Sequence, residues 1–216
     1  GEFAVAWISN GQDGNGLGVY ARKFDAYGNP ISDELRVNAS VIGNQANPAI
    51  AMDADGGFVV VWEGPGDGTD LFMQRFDRNG VAVGGETLVN TTTAGNQVLG
   101  AVAMGDAGNF VVVWQAPDAN GLGVFAQRFD ADGLPIGVTE FAVNTVEDNG
   151  YQELAAVAMN ATGQFVIAWQ GEKQDDPDGK FGVFAQRYAA DGSAIGGEFR
   201  ANTTTVKDQR APAIAA

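Results

Sequence analysis

Two residue types are missing from this chain altogether, cysteine and histidine. Without Cys there is no disulfide, thiol nucleophile or thiolate metal site. Without His there is no imidazole base and no His-ligated zinc or iron. Basic residues are scarce: 12 Lys and Arg stand against 27 Asp and Glu, a formal charge of −15. A surface of that sign opposes the phosphate neutralisation on which nucleic-acid binding rests, and an anionic membrane surface repels it. No run approaches the roughly 20 apolar residues of a membrane-spanning helix, so no membrane insertion is expected. Met is absent from the first position and nothing there reads as a signal segment, so a mature or excised piece is expected. Carboxylates, amides, hydroxyls and backbone carbonyls remain, groups suited to hard cations and sugars.

What the chain has in abundance is repetition. A Gly turn runs into a β-branched and aromatic stretch ending on Trp at Gly1–Trp7, Gly56–Trp62, Gly108–Trp114 and Gly163–Trp169. Each reads as a buried strand entered from a hairpin. The Trp residues recur every 52 to 55 positions, a spacing typical of propellers and other repeat architectures. The second repeat supplies the template: a first strand at Pro48–Met52, a second at Phe58–Trp62, a third at Leu71–Asp77 and a more polar fourth at Glu86–Asn90. Short turns join them into an antiparallel meander. The 31 Gly residues fall at fixed places in each repeat, which fits turns rather than disorder. No helix of consequence is predicted.

The expected fold class is all-β: one domain over 1–216, a four-bladed β-propeller with four antiparallel strands per blade. Three blades span 48–90, 100–144 and 155–202. The remaining blade holds 1–38 and is completed by 211–216, because the chain opens on a second strand and its final stretch, Ala211–Ala215, reads as a first strand. Pairing of that C-terminal strand with the N-terminal blade would close the ring and remove two open sheet edges.

The Ala-Ile/Val-Ala first strand, the Gly-x-Phe turn and the aromatic second strand together resemble the hemopexin-like fold. The phrasing GlnArgPheAspAlaAspGly with PheValValValTrp is also similar to repeats of secreted or surface proteins of cyanobacteria and other bacteria. Hemopexin domains tie first and last blades by a disulfide, which this Cys-free chain replaces by strand pairing and packing. The resemblance implies a ring of backbone carbonyls around a central channel holding calcium or another hard cation. The donors it implies are Ala49, Ala101, Ala156 and Ala213. Ca²⁺ takes about 6–8 oxygens, so waters or a second tier would complete the shell; the alternative is a channel in which Ala serves packing alone.

Other recurring residues read as structure. Asp53-Ala54-Asp55-Gly56 looks like the start of a calcium loop but lacks the distal Glu, so it and its counterparts are hairpin turns. Gln45, Gln97, Gln152 and Gln209 precede first strands, and Asn38, Asn90, Asn144 and Asn202 end fourth strands; such amides can tie consecutive blades. Arg22, Arg75, Arg128 and Arg187 are expected in stacked or ion-paired structural roles. The variable loops hold Asp13, Asp67, Asp70, Asp118, Asp175, Asp176 and Asp178. The last three are the densest cluster, a candidate surface calcium site or a flexible acidic tip. The Trp residues fill the spaces between blades.

These readings lead to a non-enzymatic extracellular or cell-surface module, binding or structural, with calcium in its channel and carbohydrate or another protein as partner. The first alternative is a lectin using the variable loops. The second is a carboxylate-dependent glycoside hydrolase, which requires a cleft that departs from the fourfold symmetry.

Overall fold

The computed structural model describes residues 1–119, 121–145, 150–172 and 180–216. Among them the chain forms sixteen strands and no helix. The first sheet contains β1 (Phe3–Asn10), β2 (Leu17–Phe24) and the short β3 (Leu35–Arg36). The second contains β4 (Ala46–Met52), β5 (Phe58–Gly66), β6 (Gly68–Phe76) and β7 (Ala82–Leu88), with β8 (Gly95–Asn96) added in parallel beside β6. The third is β9 (Val98–Met104), β10 (Phe110–Pro117), β11 (Leu122–Phe129) and β12 (Pro135–Ala142). The fourth is β13 (Gln152–Met159), β14 (Phe165–Glu172), β15 (Phe181–Tyr188) and β16 (Ala194–Arg200). Each sheet is a meander whose main pairings are antiparallel.

Local chemistry sets these boundaries. Seven hairpin turns, beginning at Asp25, Asp53, Asp77, Gly105, Asp130, Asn160 and Ala189, share one pair of backbone hydrogen bonds, in which the first residue donates to the fifth carbonyl and the fourth donates to the first. In every case the fourth residue is Gly with φ between 77° and 88°, a region a Cβ disfavours. In the turn expected from its sequence, Asp53 Oδ1 accepts the amides of Asp55 and Gly57, both at 2.9 Å. Aromatic rings then align across β-pairs. Trp62 stacks on Phe72, and Trp114 on Phe125, with centroids 6.3 and 6.5 Å apart.

The recurring Asn and Gln do tie the chain together. Asn38, Asn90, Asn144 and Asn202 each accept, through Oδ1, an amide of the third strand at 2.7–2.8 Å. Asn38, Asn144 and Asn202 also donate to the following Gln45, Gln152 and Gln209 at 2.9–3.2 Å. Removing the side chain of buried Asn90 leaves the Leu71 amide and the Asp70 carboxylate, which accepts from Asn90 at 2.7 Å, without that partner. Asn90→Ala is therefore expected to cost about 1–3 kcal/mol in urea unfolding.

Among the described residues three hydrophobic cores lie between consecutive sheets. Val19, Ala21 and Val37 of the first segment meet Phe58, Val60, Trp62 and Phe76 of the second. Val59, Val61, Leu71, Met73 and Val89 meet Phe110, Val112, Trp114 and Phe129 of the third. Val111, Val113, Val124 and Ala126 meet Phe165, Ile167, Trp169 and Tyr188 of the fourth. Two polar ties brace every junction. A third-strand cation reaches the hairpin of the next sheet: Lys23 Nζ to Arg78 O at 2.6 Å, Arg75 to Ala131 O, and Arg128 to Asp191 O and Ala190 O, both at 2.6 Å. A glutamate of the following sheet reaches back to a backbone amide: Glu86 to Ala39 and Glu140 to Thr91, both at 2.7 Å, and Glu198 to Thr145 at 3.0 Å.

One sequence assignment changes here. Register places Lys23 opposite Ala4 as Arg75 lies opposite Val59, so Lys23, not Arg22, is the counterpart of Arg75. Arg22 donates instead to Ser32 O at 3.0 Å.

The pairing expected between 211–216 and the N-terminal sheet is not among those formed. Residues 201–216 contain no strand, and among the described residues β1 pairs with β2 alone. The terminal segment is held by the fourth sheet instead, through Gln209 N to Phe181 O and Ala211 N to Gln170 Oε1, both at 2.9 Å. Among the described residues no buried core joins the fourth sheet to the first. Phe3 and Val5 are 42% and 43% exposed, whereas their counterparts Phe58 and Val60 are 2% and 0%.

Candidate functional site

Each inner strand carries an irregularity where it starts. Between Ala46 and Ala49 the register to β5 shifts, and the same shift occurs in β9 and β13. The residues responsible are Asn47, Leu99 and Leu154, with φ of 48°, 56° and 52°; Ala211, at 55°, occupies the same place after the fourth sheet. Left-handed non-glycine residues and bulges concentrate where a sheet is adapted to a ligand. These lie on the face where the variable loops emerge.

The residue following Trp62, Trp114 and Trp169 clasps this irregularity, whereas Ile8, which follows Trp7, has no acceptor to offer Asn47. Leu99 N donates to Glu63 Oε1 at 2.8 Å, Leu154 N to Gln115 Oε1 at 3.2 Å, and Ala211 N to Gln170 Oε1 at 2.9 Å. The clasp therefore asks only for an acceptor oxygen, which a neutral amide provides. Yet the second sheet uses a carboxylate, Glu63, which is 9% exposed. A buried carboxylate where an amide suffices is chemically conspicuous, since its charge is costly to bury and unneeded for packing.

Two further departures share this rim. At the positions equivalent to Asn44 and Asp208, whose oxygens each accept a third-strand amide at 3.1 Å, the fourth sheet has Tyr151, which is 49% exposed. Two residues on, Glu153 Oε1 accepts Gln170 Nε2 at 2.8 Å. Glu63, Tyr151 and Glu153 thus give two carboxylates and an open aromatic ring on one loop face. Sequence reading passed over all three because it took sameness between repeats as the signal; aligning the repeats and asking where they differ would have found them.

The sites expected from sequence are distributed otherwise. Ala49, Ala101 and Ala156 share one register, opposite Val61, Val113 and Ala168. Ala213 lies in the strandless 201–216 and is exposed. Among the described residues, no group of three or more Asp and Glu side chains is placed to hold a metal. Asp13 and Asp70 accept from Asn38 and Asn90, and Asp175, Asp176 and Asp178 lie outside the described residues. A cleft of about 480 Å³ on the opposite, hairpin face is lined by Glu2, Asp53, Asp55 and Arg78. Its Asp53 is occupied in turn hydrogen bonds.

No protein-family model and no curated protein matches the chain. Solved structures do. An α-L-arabinanase from Penicillium chrysogenum, complexed with arabinobiose, superposes with a TM-score of 0.59 at 15% identity, over 93% of this chain and 63% of its own. A protein of unknown function from Dyadobacter fermentans gives 0.57 at 15% identity, over 89% and 63%. The fold is propeller-like. The chain spans about 63% of the length of both structures.

These likenesses correct the expectation of a non-enzymatic, structural module. This arrangement of sheets is shared with an α-L-arabinanase, and the repeats differ at Glu63, Tyr151 and Glu153. Neither the hemopexin-like and cyanobacterial-repeat resemblance nor a calcium-binding structural role gains support from them.

Proposed function

We propose that this chain is a carboxylate-dependent glycoside hydrolase whose substrate lies on the loop-face rim. The observation that carries the reading is Glu63, a buried carboxylate at a position where Gln115 and Gln170 serve the fold equally well. Glycosidic cleavage uses two carboxyl groups, one protonating the leaving oxygen and the other acting as nucleophile or activating water. Glu63 and Glu153 are the pair assigned here, with Tyr151 as the ring against which a sugar face packs. The arabinanase likeness makes arabinose-containing oligosaccharides the first substrates to try, and a polymeric glycan as substrate accords with an extracellular or cell-surface location.

Reducing-sugar release from arabino-oligosaccharides tests the proposal. Activity in the wild-type chain that disappears in Glu63→Gln and Glu153→Gln supports it. Unchanged turnover in both variants, or no turnover on any glycan by the intact chain, overturns it.

A further inference from the structure

A cavity of about 170 Å³ opens at the junction between the first and second sheets. Its lining includes Trp62 and Gly64 of β5, Phe72 of β6, Glu86 of β7, and Ser40 and Gln45 from the connection before β4. Trp62 is 1% exposed, and its Nε1 has no acceptor among the described residues. The amide network explains why. In the third sheet the equivalent Trp114 Nε1 donates to Gln97 Oε1 at 3.2 Å. Gln97 has that oxygen free because Asn90 Nδ2 donates to Asp70 and to the Thr92 carbonyl instead. At the first junction Asn38 Nδ2 donates to Gln45 Oε1 at 3.0 Å, and the Trp62 donor is left over. Trp169 Nε1 also lacks an acceptor, but it is sealed from solvent, whereas Trp62 borders the cavity.

A second departure opens the space. Two residues after Trp62 stands Gly64, opposite Asp70; the same register position in the third sheet is Ala116, opposite Gly123. A methyl group at Gly64 would lie 2.9 Å from the Phe72 ring and 3.9 Å from Trp62 Nε1, so the absent side chain uncovers both. Polar groups complete the wall. Half-buried Glu86 accepts the Ala39 and Ser40 amides through Oε2, at 2.7 and 3.4 Å, and its Oε1 is uncommitted. Ser40 Oγ accepts from Ile42 N at 3.3 Å and keeps its own proton to donate.

We infer that this cavity is a sugar-binding site that takes one monosaccharide unit without cleaving it. The ligand must accept from Trp62 Nε1 and donate to the Glu86 carboxylate, and it must offer an apolar face to the Phe72 ring. An ammonium group has no acceptor for the indole. An anion is repelled by Glu86, and a purely apolar molecule leaves both polar groups unpaired. A primary amide presents one planar head, whereas these groups are spread around the cavity. A sugar ring carries hydroxyls that donate and accept on its rim and C–H groups on its face. The volume is below the roughly 300–1,000 Å³ of sites for larger ligands, which limits the occupant to a single ring. This site is separate from the rim proposed for hydrolysis. Successive side chains of a strand point to opposite faces: Trp62 packs toward the first sheet, whereas Glu63 reaches Leu99 of the third.

Proton–nitrogen NMR of the indole N–H groups tests this, with L-arabinose, D-xylose, D-galactose and D-glucose as probes from millimolar to near-molar concentration. Trp62→Phe assigns the resonance. At least one sugar is expected to shift the Trp62 signal saturably, while Trp114, already bonded to Gln97, stays in place. Gly64→Ala supplies the methyl that Ala116 has in the third sheet. It should abolish the shift with the Trp114 signal and the circular dichroism spectrum unchanged. Glu86→Gln keeps an oxygen for the Ala39 amide and should weaken binding about tenfold or more, the loss of a hydrogen bond to a charged group; it carries the test alone if Gly64→Ala does not fold. Glu63→Gln should leave the shift intact, so failure of this site and failure of the hydrolytic reading are seen separately. No shift with any of the four sugars overturns the proposal, as does a stronger response to ammonium or acetamide. So does a shift that survives Gly64→Ala, is unchanged in Glu86→Gln, or is lost in Glu63→Gln.

Discussion

Trp114→Ala should lower the unfolding free energy by about 3–5 kcal/mol, the range for truncating a large buried aromatic. Trp114 is fully buried in the core between the second and third sheets, among Val59, Val61, Leu71 and Met73. Its ring stacks on Phe125, and its Nε1 donates to Gln97 Oε1 at 3.2 Å. Truncation opens a cavity shared by two sheets and deprives a buried glutamine of a donor. For a domain of this size each kcal/mol moves Tm by about 2–4 °C, so the loss is easily read by calorimetry or urea titration. The informative control is Trp7→Ala. Trp7 has the same neighbour in register, Tyr20, but lies on the first sheet, which no preceding sheet covers. It should cost clearly less than Trp114→Ala. Equal costs would mean that a fourth buried core exists and that the row of sheets is closed.

Glu63→Gln should reduce glycan hydrolysis by at least about 10²-fold, the lower end of what a positioned acid or base contributes, while leaving the unfolding midpoint unchanged. The reason lies in the fold itself. Gln115 and Gln170 accept the amides of Leu154 and Ala211 through the same side-chain oxygen, so an amide at position 63 keeps the bond to Leu99 N and loses only the carboxylate. The substitution separates chemistry from folding more cleanly than Ala, which would also release Leu99. Binding of arabinobiose to the variant, followed by calorimetry, separates a lost reaction step from a lost site. Coupled loss of activity and stability would instead assign Glu63 a purely structural role.

Much of the fold was legible because its determinants are local. Gly at the fourth position of each hairpin, the β-branched run to Trp and the terminal Asn act within a few residues of where they stand in sequence, and the strands follow. The order of sheets was legible for the same reason. The pairing of 211–216 with the first sheet was not, because it joins residues from opposite ends of the sequence. An equal repeat length cannot report it. The Lys23 substitution illustrates a subtler limit: adjacent Arg22 and Lys23 carry the same charge, and only counting back from Phe24 and Phe76 shows which points to the next sheet. The rim was read least well. Glu63 looks like one more acidic loop residue until its neighbours in space, Leu99 and the equivalent glutamines, are known.

The polar ties have a consequence for how such chains change in length over time. Lys23, Arg75 and Arg128 reach forward and Glu86, Glu140 and Glu198 reach back by one sheet only, so each repeat is a self-contained cassette with a plug and a socket. Duplicating or deleting one such cassette leaves all remaining joints intact. Gain or loss of a whole repeat should therefore be tolerated far more readily than the insertion of a few residues within one.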